Sequence, residues 1–308
     1  MTVSSGSALP NQRPAEEAGC GDVGARGRTA LDTEALTWRV LVDPPSSGPE
    51  NMAVDHALAA LVRPGEAVLR IYRWSRPTVS FGRNEPARDR YDPAAGHSAG
   101  IEFVRRPTGG RAVLHDRELT YAAVLPRPIR PGLRATYGLI NRGLVEAMCS
   151  LGVPAAMAEG RNVPLPPDSG PCFDEPAPGE VTVAGRKLVG SAQARLEGAL
   201  LQHGSLLLGP GQERILALGS ALGSTSVDSR MEGPSGVSES HRCVQAPISL
   251  EEVLGQAPPW YDVVAAVISG LTSVMGGEWH RGELTEPERV KSSALEERYS
   301  SAEWTWRR

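Results

Sequence analysis

The sequence predicts a fold that mixes helices with strands, and three regions carry that prediction. AVLRIYRW (Ala67 to Trp74), PTVSFGR (Pro77 to Arg83) and IEFVRR (Ile101 to Arg106) are short runs rich in β-branched and aromatic residues, bounded by turn formers, as strands are. RATYGLINRGLVEAMCSLG (Arg134 to Gly152) places Leu139, Leu144, Val145 and Met148 near one face at helical spacing. From Glu180 to Leu208, EVTVAG, RKLVGSAQARL and ALLQHGSLLL read as an antiparallel meander joined at Ala184-Gly185 and Glu197-Gly198. The glycine of each joint supplies the positive φ that a tight hairpin needs.

The remaining elements follow in chain order. The first ~35 residues are small, polar and mixed in charge, so residues 1–36 read as a disordered tail. TWRVLVD, from Thr37, is the first strand and PPSSGPE the loop after it. NMAVDHALAALV repeats Val54, Leu58 and Leu61 at helical spacing, with Asp55 and His56 on its flank, and Pro64-Gly65 ends it. LTYAAVLP is a further strand, and Gly152 is placed to stop the long helix. After Leu208 strand signals fade, and Gly223 to Arg242 is a polar stretch rich in serine and glycine. Helices return beyond it: Ser249 with Glu252, and Thr285 with Glu288, have capping-box spacing. These boundaries divide the chain into residues 37–247 as the main domain and 248–308 as a C-terminal helical extension.

Composition excludes several classes. A formal net charge of -4 offers no basic field for sequence-independent nucleic-acid binding. Cys20, Cys149, Cys172 and Cys243 lie far apart, so zinc-type CxxC spacing is absent and a disulfide framework is not expected. A reducing cytoplasm is the expected compartment. No apolar signal-peptide core opens the chain, and the most apolar later segment, Val263 to Met275, is too short and too broken to span a bilayer and reads as a packed helix. Neither metal nor organic cofactor is expected. Of 32 basic residues only Lys187 and Lys291 are lysines; this chain writes positive charge as arginine.

In RRPTGGRAVLHD (Arg105 to Asp116) a strand runs into Pro107-Thr108-Gly109-Gly110 and out again. Two readings stand. Gly109 and Gly110 let a ligand lie against bare backbone N–H groups, with Arg106 and Arg111 on either side; or the turn is a plain hairpin with solvated arginines. GRKLVGSA (Gly185 to Ala192) and QHGSLLL (Gln202 to Leu208) follow in order.

Together these three stretches resemble the biotin/lipoate protein ligase superfamily. Within it, PCFDEP (Pro171 to Pro176), with the lysine of GRKLVGSA fifteen residues after the cysteine, is similar to the cysteine-dependent octanoyl-acyl-carrier-protein:protein N-octanoyltransferases. The resemblance covers roughly Thr37 to Leu208. It implies an α+β fold, a mixed and largely antiparallel sheet flanked by helices. It also implies transfer of an octanoyl group from acyl carrier protein to a lysine of a lipoyl domain, with Cys172 as the acyl-thioester residue and Lys187 as its partner. FGRNEPARD resembles a Gly-Arg-Asn-Gln stretch of the superfamily but carries Glu85 where glutamine is usual.

The residues suit that chemistry. Moving an acyl group from a thioester to an amine needs no ATP, but two protein substrates must visit one site in turn, and a thiolate can hold the group between visits. Such a thiolate is accessible and sits near a cation. Cys172, among helix- and strand-breaking residues, fits that description, whereas Cys149 sits on a helix as core filling. A lysine can give up its proton in a low-dielectric site and accept another, and arginine cannot; at Lys187 this chain departs from its own habit, with Arg186 next door. His115 and His203 either assist proton transfer and orient the acyl carbonyl or are structural. Gly190 and Ser191, on the strand of Lys187, shape the acyl slot. Arginines between Arg83 and Arg142 present either a basic face for the carrier or a solvated surface.

Three other functions use the same sequence differently. An ATP-dependent lipoate or octanoate ligase would activate a free acid on this scaffold and leave Cys172 idle. A lipoyl-domain amidotransferase would keep the cysteine. A binding module for acylated proteins would have no use for a reactive thiol.

Overall fold

The computed structural model describes residues 36–126, 132–159, 177–219 and 246–308. The tail 1–35, the stretch Gly223 to Arg242 and the PCFDEP segment with Cys172 lie outside the described residues.

An eight-stranded mixed sheet runs in the order β11-β1-β2-β6-β10-β9-β8-β7. Its strands are β1 Thr37–Val42, β2 Glu66–Tyr72, β6 Glu118–Leu125, β7 Ala155–Met157, β8 Val181–Val183, β9 Arg186–Leu196, β10 Ala199–Leu207 and β11 Glu278–Arg281. β1 pairs in parallel with both β2 and β11, and the other pairings are antiparallel. A second sheet of three strands, β4-β3-β5, comprises β3 Thr78–Phe81, β4 Glu102–Arg105 and β5 Val113–His115.

Period-two alternation decides what each face of the large sheet meets. Leu69 and Ile71 of β2, with Leu119, Tyr121 and Ala123 of β6, join a core built with α3 (Leu133–Ser150) and α5 (Trp260–Met275). Val68 and Tyr72, with Ala122 and Val124, face the opposite way into a core with α1 (Gly48–Leu61) and Tyr299 of α6 (Glu286–Ser300). A pair of helices thus covers each face. The short helices are α2 Pro93–Ser98, α4 Leu250–Leu254 and α7 Ala302–Thr305, with a 3-10 turn at Gln212–Leu218.

Local signals behave as their chemistry requires. Ala184 and Gly185, and then Glu197 and Gly198, all have positive φ, which makes both joints of the meander turns of the hairpin-favoured hand. Both capping boxes form, and Gly152 ends α3 at φ +80°. Cys149 is half-buried against the main core, but it is disulfide-bonded and so is not mere core filling, against the expectation that no disulfide forms.

The chain departs from the simple reading at its C-terminal end. Residues 248–308 are not helical throughout: β11 adds an edge strand beside β1, where Trp279 stacks on Trp38 with ring centroids 4.5 Å apart. Asp55 and His56, on the flank of α1, are both buried: Asp55 against β2 and β10, where Arg70, Tyr72 and His203 meet it, and His56 under α6, where Tyr299 meets it.

Candidate active site

A narrow, mostly apolar cleft opens between the large sheet and the small one. Met52, Tyr72, Trp74 and Thr120 form its floor side, Ser80, Arg106, Val113 and His115 the small-sheet side, and Gly190, Ser191, Ala192, His203, Gly204 and Ser205 the β9–β10 side. Five of the residues singled out in the sequence therefore meet here: Arg106, His115, Gly190, Ser191 and His203. Strand register explains the β9–β10 wall, since Gly204 pairs with Ser191 and Ser205 with Gly190.

Two buried histidines face the cleft, each held from behind by a carboxylate. His203 Nδ1 lies 3.0 Å from Asp55 Oδ2, and its Nε2 lies 2.6 Å from the Thr108 hydroxyl. An ionised carboxylate can only accept, so Nδ1–H donates to Asp55 and Nε2 accepts from Thr108. Burial holds His203 below its ordinary value. Burial pushes the Asp55 carboxyl up, but its hydrogen bond with His203 and the charge of Arg70, 2.9 Å away, outweigh this and leave it lowered. The second histidine, His115, places Nδ1 2.7 Å from Glu118 Oε1 and Nε2 2.7 Å from the Ser80 hydroxyl, and stacks on Trp74 at 4.0 Å. Thr120 and Ser205 also donate to Glu118, so that carboxylate is fully engaged in the wall.

Ser191 links the cleft to the opposite face of the sheet. Its hydroxyl lies 2.8 Å from that of Tyr121, which accepts from Gln202 at 3.0 Å, and both chains of contacts reach Asn141 of α3. Burial raises Tyr121 to about 12, so it stays a neutral phenol.

Arg106 has a structural task. Its guanidinium donates to the carbonyls of Ser80, Gly109 and Arg111 at 2.8 Å each and so clamps the Pro-Thr-Gly-Gly turn. Gly82 closes on that turn: a Cβ there would lie 1.7 Å from the Gly110 carbonyl. Gly109, Gly110 and Arg111 stand outside the cleft lining, and Arg111 is buried. Glu85, the departure from the expected glutamine, is buried and accepts from the Gly82 amide at 3.0 Å. Burial raises its carboxyl, opposed by Arg106.

Lys187, at the start of β9, is buried, and its Nζ lies 2.8 Å from the Glu180 carboxylate. Glu180 in turn accepts from the Ala177 amide at 2.7 Å. Ala177 is the fifth residue after Cys172, which lies outside the described residues. Among the described residues no three histidine, cysteine or carboxylate side chains gather as a metal site, and no helix is long and apolar enough to cross a membrane.

Sequence reasoning missed Asp55, Glu118, Glu180 and Thr108. One signal was available: Asp55 sits inside an apolar helix and Arg70 inside the apolar strand AVLRIY, so each needed a buried partner of opposite charge.

The Lipoyl protein ligase A/B catalytic domain family matches residues 47–272. The chain belongs to this family. Among its relatives are proteins named octanoyltransferase LipM. That of Kyrpidia tusciae is 39% identical over 281 residues, covering 88% of this chain and 99% of the relative. That of Symbiobacterium thermophilum is 36% identical, covering 88% and 98%. Solved structures of the lipoyl protein ligase fold are similar too. A putative lipoate protein ligase from T. acidophilum with bound lipoic acid superposes with TM-score 0.69 at 22% identity, covering 88% of this chain and 100% of that one. A lipoate-protein ligase A bound with ATP gives the same TM-score and identity, covering 88% and 99%. At that identity the ligase structures speak for the fold: a mixed sheet flanked by helices, with further helices at the C-terminus.

Proposed function

We infer that this chain is an acyltransferase of lipoate biosynthesis that moves an octanoyl group from octanoyl-acyl carrier protein to a lysine of a lipoyl domain, through a thioester on Cys172. The observation that carries this reading is the near full-length similarity, at 39% and 36% identity, to proteins named octanoyltransferase. The exposed wall of the cleft is mostly apolar, its polar side chains being bonded to one another, which suits an acyl chain.

Two displacements make up the reaction. In loading, the Cys172 thiolate attacks the donor thioester carbonyl; the new C–S bond forms, the carrier C–S bond breaks, and the carrier thiolate takes the proton that Cys172 gave up. In discharge, the acceptor amine attacks the acyl-Cys172 carbonyl, an amide forms, the Cys172 thiolate leaves, and the amine's proton returns to the protein. Lys187 is the residue assigned to carry that proton, and Glu180 fixes where its Nζ stands. His203 and His115, each hydrogen-bonded through both ring nitrogens, hold the wall in which Gly190 and Ser191 shape the slot.

Incubation with octanoyl-carrier protein and a lipoyl domain, with and without ATP, tests the proposal. Octanoyl-lysine is expected without nucleotide. Product that forms only from free octanoate and ATP would make the protein a ligase.

A further inference from the structure

Against a net charge of -4, four arginines gather around Trp304 and the end of α7. Arg83 follows β3, Arg298 ends α6, and Arg307 and Arg308 follow α7; all but the half-buried Arg307 are exposed. Two of the heads are held, not trailing. Arg298 and Arg307 both stack on Trp304, 3.8 Å and 4.1 Å from the ring centroid, and Arg307 donates to the Arg83 carbonyl. Trp304 is itself fixed by its indole N–H, which donates to the Arg105 carbonyl at 2.8 Å. None of the four arginines is ion-paired among the described residues, although this chain pairs Arg39, Arg70, Arg117, Arg186 and Arg214 with carboxylates.

We propose that the face formed by Arg83, Arg298, Arg307 and Arg308 docks the acidic surface of the acyl carrier protein that delivers the octanoyl group. This rests on the transferase reading above. The guanidinium groups of Arg83, Arg298 and Arg308 repel that of Arg307. Burial, and then the charges of Arg83, Arg308 and Arg298, hold the Arg307 guanidinium below its ordinary value. An anionic partner removes that repulsion and is steered toward it from solution. The face adjoins the site: the Arg83 amide donates to the Thr108 carbonyl at 2.7 Å, and the Thr108 hydroxyl contacts His203 in the cleft. Charge also separates the two substrates. A carrier brings its acyl chain on a phosphodiester-linked arm from an acidic protein, whereas the acceptor must present a lysine, which this face repels.

The test compares wild type with Arg83→Glu, Arg298→Glu and the double variant in the loading half-reaction. Two donors are used: octanoyl-carrier protein and a small uncharged octanoyl thioester. The double variant is expected to raise KM for the carrier donor about tenfold or more, with kcat and loading from the small thioester unchanged, and to lose the salt sensitivity that wild type shows with the carrier. Unchanged KM for the carrier, or an equal loss with both donors, overturns the proposal. So does a defect confined to discharge onto the lipoyl domain, which would assign the face to the acceptor. Wild type that loads from the small thioester but not from the carrier would instead overturn the donor itself, and the docking face with it.

Discussion

The ammonium of Lys187 and the carboxylate of Glu180 form an ion pair, 2.8 Å apart, with both side chains buried. Removing one member of such a pair leaves an uncompensated buried charge, which typically costs ~3–5 kcal/mol, whereas replacing both by apolar groups of similar size is often neutral. Glu180→Leu and Lys187→Met are therefore each expected to lower the denaturation midpoint, and the double variant to recover most of the loss without recovering octanoyl transfer. Recovery of both would make the pair purely structural.

Lys187→Arg is expected to be nearly as damaging as Lys187→Ala, although arginine is this protein's usual cation. A permanently charged fork cannot accept a proton, and the buried position beside Glu180 and Thr182 leaves it little room. Loss of a positioned proton acceptor costs ~10²–10⁴-fold. Single-turnover loading and discharge, on variants shown by circular dichroism to be folded, measure this. Near wild-type rates for Lys187→Arg would leave the lysine an electrostatic role only.

Stability should fall in mild acid. Burial lowers both His203 and His56. A histidine whose folded value is depressed holds fewer protons folded than unfolded, so its stabilisation is complete above the unfolded value of about 6.5 and is lost as pH falls below it. The lowered Asp55 extends the loss to stronger acid. Urea titrations at about pH 7.5 and pH 5.5 are expected to show wild type weakened at the lower pH, and His203→Gln weakened less. Equal sensitivity in the two proteins would remove His203 from the effect.

Gly204→Ala should damage the cleft directly. A Cβ there would meet the Gly190 carbonyl and the Tyr121 ring at 2.7 Å and the Ser191 hydroxyl at 3.0 Å. Overpacking of this kind costs ~1–3 kcal/mol, and octanoyl loading should slow with it. Gly138→Ala, on α3 with nothing within 4 Å of the added carbon, is the control and should stabilise slightly. Equal effects of the two would mean that the β9–β10 contact is not tight.

What the sequence disclosed follows from how local each feature is. The hairpins at Gly185 and Gly198, the capping boxes at Ser249 and Thr285 and the amphipathic α3 depend on residues a few positions apart, and all were legible. Asp55 with His203, separated by 148 residues, is created only when α1 packs on β10, and no local pattern encodes it. The same holds for β11, a four-residue strand whose partner β1 lies some 240 residues earlier. The very short α2 and β7 carry too few residues to show a period. The five predicted residues that share the cleft were found through motif order, not through periodicity. Arg106 lines the cleft, as its motif suggests, but its bonds to the carbonyls of Ser80, Gly109 and Arg111 depend on how the turn folds back, which no local pattern shows.

The account stands or falls on Cys172. Wild type mixed with octanoyl-carrier protein and no nucleotide, then followed by intact mass and peptide mapping, is expected to gain one octanoyl group on Cys172 and to lose it when a lipoyl domain is added. Cys172→Ala should gain none. Loading of Cys172→Ala at the wild-type rate, or loading of wild type only when ATP is present, would contradict the account.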